Sequence, residues 1–273
     1  MSTPSTLDGM DSKLEKALTE KSCEFIIFYT QKLKLSNDRI VIATACVYFH
    51  TFFSLQSMKQ HDRYIIALVC VFLACKVEEQ ARHIKDIVTT YYDFRYNQTS
   101  NINKDDFHQM MDTIICAERI LLQTLSFNLE IVHPYSSLTS KLRQIKSYIP
   151  RDRFKEINDT CKTFINDSFC TKLCLIYTPD IIAASCILMG VLYLNVDMMA
   201  PTKVKAEEFD DWQDLITSEL EVDWKTAWNI AHTILDTYDD GFGRIDYNYT
   251  TPSTIADTTT TTTTTTTHAN SYY

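Results

Sequence analysis

Apolar positions recur along this chain with a helical step. In "FHQMMDTIICAERILLQTLSF" they fall at Phe107, Met110, Met111, Ile114 and Ile115, then at Leu121, Leu122 and Leu125. Steps of three and four stack such side chains on one face of a helix. In "IIALVCVFLAC", residues 65–75, apolar or small residues run without a break. That pattern predicts a helix buried on every side, with Asp62 as its N-cap. Ser36-Asn37-Asp38 offers N-caps for a helix through Phe53, and Lys104-Asp105-Asp106 opens the helix quoted first. Pro134 marks a joint after "SFNLEIVH". Beyond it, helices are predicted near 135–147, 151–172, 179–195, 206–218 and 223–238, with Pro150 and Pro179 at helix starts. Residues 1 to about 12, and those from about 246 onward, carry no such pattern and read as disordered. The last stretch includes ten consecutive threonines, 258–267.

The pattern also repeats. "IIALVCVFLACK" (65–76) aligns with "IIAASCILMGVL" (181–192), 116 residues on, and "AERIL" (117–121) aligns with "AHTIL" (231–235), 114 residues on. Two ordered matches at nearly one spacing predict a duplication. The expected fold is all-α, two tandem repeats of about five helices each. The division is 1–20 for an N-terminal tail and leading helix, 21–132 and 133–240 for the repeats, and 241–273 for a threonine-rich tail.

Composition narrows the function. The 273 residues include four glycines, none of them between Met10 and Met189. Glycine supplies the positive φ of tight hairpins and the close backbone approach of phosphate loops. The GxGxxG, Walker A and GxSxG sites are accordingly missing. The net charge of −9 argues against a general affinity for nucleic acid. Nine cysteines form no CxxC and no Cys/His set with zinc spacing, so buried free thiols in a reducing compartment are expected, with no metal and no cofactor. No secretory signal or membrane span is legible.

One feature of the repeat bears on function. The first copy carries Lys76 where the second has Leu192, and Glu118 where the second has His232. A bundle that forms without these charges in one half does not need them in the other. Both sit among apolar neighbours, Leu73, Val77, Leu122 and Phe127. Charges ringed by apolar side chains suit a protein interface.

These residues also carry a resemblance. "LACKVEEQ", followed some forty residues later by "AERILLQTLSFNLEIVHPY", resembles the cyclin box. The likeness covers roughly residues 20–240 and is greatest to transcriptional cyclins of the K and T types. "FINDSFCTKLCLIYTPDIIAASCILMG" (164–190) is especially similar to the K type. The resemblance implies two five-helix cyclin-box repeats. It also implies a nuclear protein that does no chemistry itself but binds and activates the catalytic subunit of a cyclin-dependent kinase. The substrate of such a complex would be the C-terminal domain of RNA polymerase II. The kinase-binding residues it implies are Leu73, Lys76, Val77, Glu78, Glu79, Glu118, Leu122 and Phe127. Two departures stand out: "EFIIFYTQKL" (24–33) lacks the MRxIL patch of cell-cycle cyclins, and Thr51 in "YFHTFF" replaces an arginine of the K and T types. Where the resemblance would imply the long C-terminal region of metazoan relatives, a short threonine-rich stretch is expected in its place.

Two other readings compete. "DDWQD" (210–214) is a literal DDxxD, the metal motif of all-α prenyl-transferring enzymes, but "NDTCKTFIN" and "NDSFCTKLC" both fail as the required second motif. A promoter-binding factor of the TFIIB kind would need a basic stripe, for which Lys141, Arg143, Lys146, Arg151, Arg153 and Lys155 are the candidates. Against it, Glu207–Asp240 carries eleven acidic residues and one lysine, so no direct DNA binding is expected.

Overall fold

Two helices, each apolar on every side, organise the structure. The computed structural model describes residues 2–96, 103–196 and 217–239. The first of the two is α4 (Arg63–Val77), and the Asp62 carboxylate caps it by accepting from the Tyr64 and Ile65 amides. Every residue from Ile66 to Cys75 is buried. The helix is enclosed by α2 (Ser12–Lys32), α3 (Asp38–Leu55), α5 (Ile84–Tyr96) and α6 (Lys104–Thr124). In the second half the same place is taken by α9 (Pro179–Tyr193), buried from Ile182 to Val191. Around it pack α7 (Pro134–Gln144), α8 (Phe154–Ser168) and α10 (Trp224–Asp239). Pro134 and Pro179 each occupy a first helical turn, where a missing amide costs nothing.

The quasi-repeat extends to helix ends. After α4, Glu79 is left-handed (φ 56°), and the Glu79 and Gln80 amides donate to Lys76 O and Cys75 O. After α9, Asn195 is left-handed (φ 46°), and the Asn195 and Val196 amides donate to Leu192 O and Val191 O. Lys76 and Leu192 are thus true equivalents. The second alignment moves by one residue. Helix α6 buries Ile114, Ala117 and Leu121, which match Ala227, Ile230 and Ile234 of α10. Glu118 therefore corresponds to Ala231, not His232. The letter match pairs exposed Ile120 with buried Ile234 and buried Leu121 with exposed Leu235, and the burial phase corrects it by one residue.

The leading residues are ordered, against expectation. Residues Pro4–Leu7 form a short helix, α1, closed by a capping box between Thr3 and Thr6. The segment stays because its polar groups have partners: Ser5 is buried and its Oγ accepts from the Met58 amide at 3.0 Å, while Thr3 Oγ1 donates to Glu15 Oε2 at 2.5 Å. Helix α5 was also not foreseen; it closes over α2 and receives the Tyr29 hydroxyl at Ile87 O, 2.7 Å away. Helix α8 begins four residues past Pro150, beyond a turn at 151–153. Of the helix predicted at 206–218, residues 217–220 are helical and the remainder lies outside the described residues, as do the threonine tail and the DDWQD stretch.

The two repeats meet through buried polar contacts. His50, on α3, is wholly buried and its Nε2 lies 2.8 Å from Phe169 O. Loss of water pushes its pKa down to about 4. The short 3₁₀ turn Lys172–Leu175 sends the Lys172 ammonium to Glu15 Oε1, 2.7 Å away on α2. All nine cysteines are free thiols; Cys116 is exposed and Cys174 half-buried, and the others are buried.

Candidate protein-binding face

The sequence "KVEEQ" ends α4, and its side chains part in three directions. The Lys76 ammonium turns toward α6 and meets both carboxylate oxygens of Glu118, at 2.6 and 2.8 Å. It also lies 4.0 Å above the centre of the Phe72 ring. The Lys76 side chain keeps 41% of its surface exposed and that of Glu118 keeps 14%. An ammonium has three donors and Glu118 takes two, which leaves one N–H for an acceptor from outside.

Glu78 turns the other way. Its Oε1 accepts from Thr44 Oγ1 at 2.6 Å, with His133 Nε2 3.9 Å away. Gln80 reaches back to the loop before α3. Its Oε1 accepts from Ser36 Oγ and the Asn37 amide, both at 3.0 Å, and its Nε2 donates to Asn37 O at 2.9 Å. Glu79, in the left-handed position, is exposed.

Apolar side chains surround the Lys76–Glu118 pair. Val77 and Leu122 are half-buried, and Phe127 is 67% exposed. Phe127 is held out by an unusual backbone: Ser126 and Phe127 are both left-handed, with φ of 52° and 56°. That conformation costs a non-glycine residue about 1–2 kcal/mol. Here it presents a large ring to water at the end of α6. Leu73 is buried at 4% and supports the face from beneath instead of forming part of it.

One apolar neighbour was missed. Ile115 is 46% exposed and lies three residues before Glu118, in line with Leu122 four residues after it. The spacing was visible in the sequence, but the hydrophobic run around it reads equally well as core. Thr44 was missed too, since only the fold brings it to the end of α4.

The equivalent place in the second repeat is built differently. Leu192 and Tyr193 replace Lys76 and Val77, and Trp228, Ala231 and Leu235 lie at the places of Ile115, Glu118 and Leu122. The basic stripe of the DNA-binding alternative is partly spent inside the fold. Lys141 is buried and donates to Leu220 O at 2.7 Å, and Arg153 donates to Leu194 O at 3.1 Å.

Comparison with known proteins gives the chain its relatives. The family described as "Cyclin, N-terminal domain" matches residues 3–130, which contain Lys76, Glu118, Val77, Ile115, Leu122 and Phe127. Human Cyclin-K is 32% identical over 249 residues, covering 88% of this chain and 39% of the relative. Cyclin-T1-2 of Arabidopsis thaliana is 34% identical over 210 residues, covering 76% of this chain and 45% of the relative. The chain therefore spans less than half the length of these two relatives. Among solved structures, a chain of the yeast RNA Pol II CTD kinase CTDK-1 complex superposes with a TM-score of 0.63 at 16% identity, covering 85% of this chain and 69% of that one. The chain belongs to the cyclin family, and its relatives there include the transcriptional K and T types.

Proposed function

We propose that the chain is the regulatory subunit of a transcriptional cyclin-dependent kinase and binds the catalytic subunit through the Lys76–Glu118 face. The observation that carries this reading is the contrast between the repeats. The first ends its central helix in a partly exposed charged pair ringed by Val77, Ile115, Leu122 and Phe127, and the second forms the same helix end with Leu192. A charged pair amid exposed apolar groups is what a docked protein surface needs, and the fold itself does not require it.

On this reading the chain supplies no reacting group. The kinase exists in two states, with its regulatory helix turned out or in. The cyclin favours the second by binding it better. Lys76, with one unused donor, and Glu118, with lone pairs to spare, hold polar groups of that helix, while Phe127 and Leu122 bury its apolar ones. The complex works in the nucleus and phosphorylates the C-terminal domain of RNA polymerase II. Membrane and direct DNA contact play no part.

The test is an affinity pull-down of the tagged chain from nuclear extract, with mass spectrometry and an assay on a peptide of polymerase C-terminal repeats. Recovery of one stoichiometric kinase active on that peptide is expected. Recovery of polymerase or promoter DNA without any kinase would move the chain to the general-factor reading.

A further inference from the structure

We propose that Thr44 and His133 are positioning residues that set the partner-binding face through Glu78. The inference rests on the kinase-binding reading of that face and gives Glu78 a different part from the direct contact expected of it.

The hydrogen order of the contact can be worked out from donors and acceptors. Thr44 has one hydroxyl proton, and a carboxylate can only accept, so that proton lies between Thr44 Oγ1 and Glu78 Oε1, 2.6 Å apart. His133 Nε2 is 2.8 Å from the same hydroxyl oxygen. It must therefore donate, which fixes its proton on Nε2. The relay runs from His133 N–H to Thr44 O–H to Glu78. His133 Nδ1 is buried with no hydrogen-bond partner among the described residues, so no donor there competes for the tautomer with its proton on Nε2. Burial also holds the ring below its ordinary pKa, which favours the neutral form.

The three residues lie on three elements. Thr44 is wholly buried in the middle of α3, and His133 is the residue before α7, where the second repeat begins. Glu78 is the C-cap of α4, two residues past Lys76. The relay thus ties the turn that bears Lys76 to the helix beneath it and to the joint between repeats. Gln80 pins the same turn from the other side through Ser36 and Asn37. Lys76 and Val77 sit just before these two anchors.

The second repeat shows that the anchor is not needed to form the turn. The equivalent of Glu78 is Leu194, whose amide donates to Gly190 O as that of Glu78 does to Ala74 O. Backbone hydrogen bonds and the Arg153 guanidinium, which donates to Leu194 O, close that end with no side-chain anchor at the place of Glu78. What the relay adds in the first repeat is a fixed orientation for the last turn, at the one helix end that presents the charged pair. A turn fixed before binding loses less freedom on docking.

The test is a double-mutant cycle between Thr44→Val and Glu78→Ala, read as affinity for the kinase subunit recovered with the unaltered chain, beside thermal stability and helicity. Thr44→Val is expected to weaken binding about tenfold, the scale of one hydrogen bond to a charged group. It should have no further effect once Glu78 is alanine, and Thr44→Ser should restore affinity. A lower melting temperature with unchanged affinity would make the relay purely structural and overturn the proposal, as would strictly additive losses in the cycle. If Thr44→Val fails to fold, Glu78→Gln takes its place, where a severalfold loss supports the proposal and no loss overturns it. Lys76→Ala separates the two levels. If it weakens binding while the relay variants do not, only this inference fails. If it too has no effect, the kinase-binding reading of the face fails first.

Discussion

The ammonium of Lys76 and the carboxylate of Glu118 close a two-point contact, at 2.6 and 2.8 Å, between the end of α4 and the last third of α6. With 41% of the lysine side chain in water, such a pair contributes about 0–1 kcal/mol to folding. The second repeat dispenses with both charges. The double variant Lys76→Ala, Glu118→Ala should therefore keep its helicity and melt within a few degrees of the parent. Its affinity for the kinase should fall by about 2–5 kcal/mol, as when charges desolvated at an interface lose their partners. Calorimetric titration beside a thermal melt reads both quantities. Retained affinity in a folded double variant would remove these residues from the binding face.

Phe127 separates binding from folding more sharply. Its ring is two-thirds exposed and its φ is 56°, so the fold gains little packing and carries the cost of the conformation. Glycine adopts that φ without strain, which relieves about 1–2 kcal/mol and offsets the extra entropy of a glycine in the unfolded chain. Phe127→Gly is expected to leave the melting temperature unchanged or raise it, while kinase affinity drops at least tenfold. A drop in melting temperature with unaltered affinity would show that the ring serves the fold.

How far the sequence disclosed this depended on the kind of signal. The central helices were plain because burial on all sides leaves unbroken runs of apolar or small residues, Ile65–Cys75 and Ile181–Val191. Lys76 was conspicuous because it breaks one of them. Helix α5 gave no comparable signal: "IKDIVTTYYDFRY" mixes β-branched and aromatic residues, and its helical state rests on packing against α2 and α6. Residues 1–12 looked polar enough to be loose, but the Thr3 hydroxyl is satisfied by Glu15 of the next helix and that of Ser5 by Met58, distant in sequence. Glu78 shows the limit best. A glutamate beside a lysine at a helix end reads as surface charge, and only Thr44 and His133, from two other elements, show that it turns inward.

His50 makes the joint between repeats sensitive to acid. Its folded pKa of about 4 lies below the ordinary value of 6.5, so between these pH values the unfolded chain binds more protons than the folded one. Stability is then full above pH 6.5 and falls as pH drops through the window toward 4. At pH 5 the loss amounts to about 2 kcal/mol relative to pH 7.5, and it approaches about 3 kcal/mol at pH 4. His133, also lowered by burial, acts in the same direction. Urea unfolding at pH 7.5, 6 and 5 should show midpoints falling in that order, and His50→Gln should flatten the dependence. A midpoint that does not move between pH 7.5 and 5 would mean that His50 is not held neutral in the fold.

Gly190 sets two familiar effects against each other. In a helix interior, glycine to alanine ordinarily stabilises by about 1 kcal/mol. At this position a Cβ would lie 2.8 Å from Cys161 Sγ, closer than real contacts allow. That sulfur belongs to a buried side chain on α8 and cannot swing into solvent. Overpacking of this kind costs about 1–3 kcal/mol, and here it should outweigh the gain in propensity. Gly190→Ala is therefore expected to lower the midpoint of urea unfolding. Adding Cys161→Ala should recover part of that loss, because the second change makes the space that the first one fills. Cys161→Ala alone should be destabilising through the cavity it leaves, so the two changes together should be less harmful than the sum of their separate effects. Strict additivity would place the conflict elsewhere than in the α8–α9 contact.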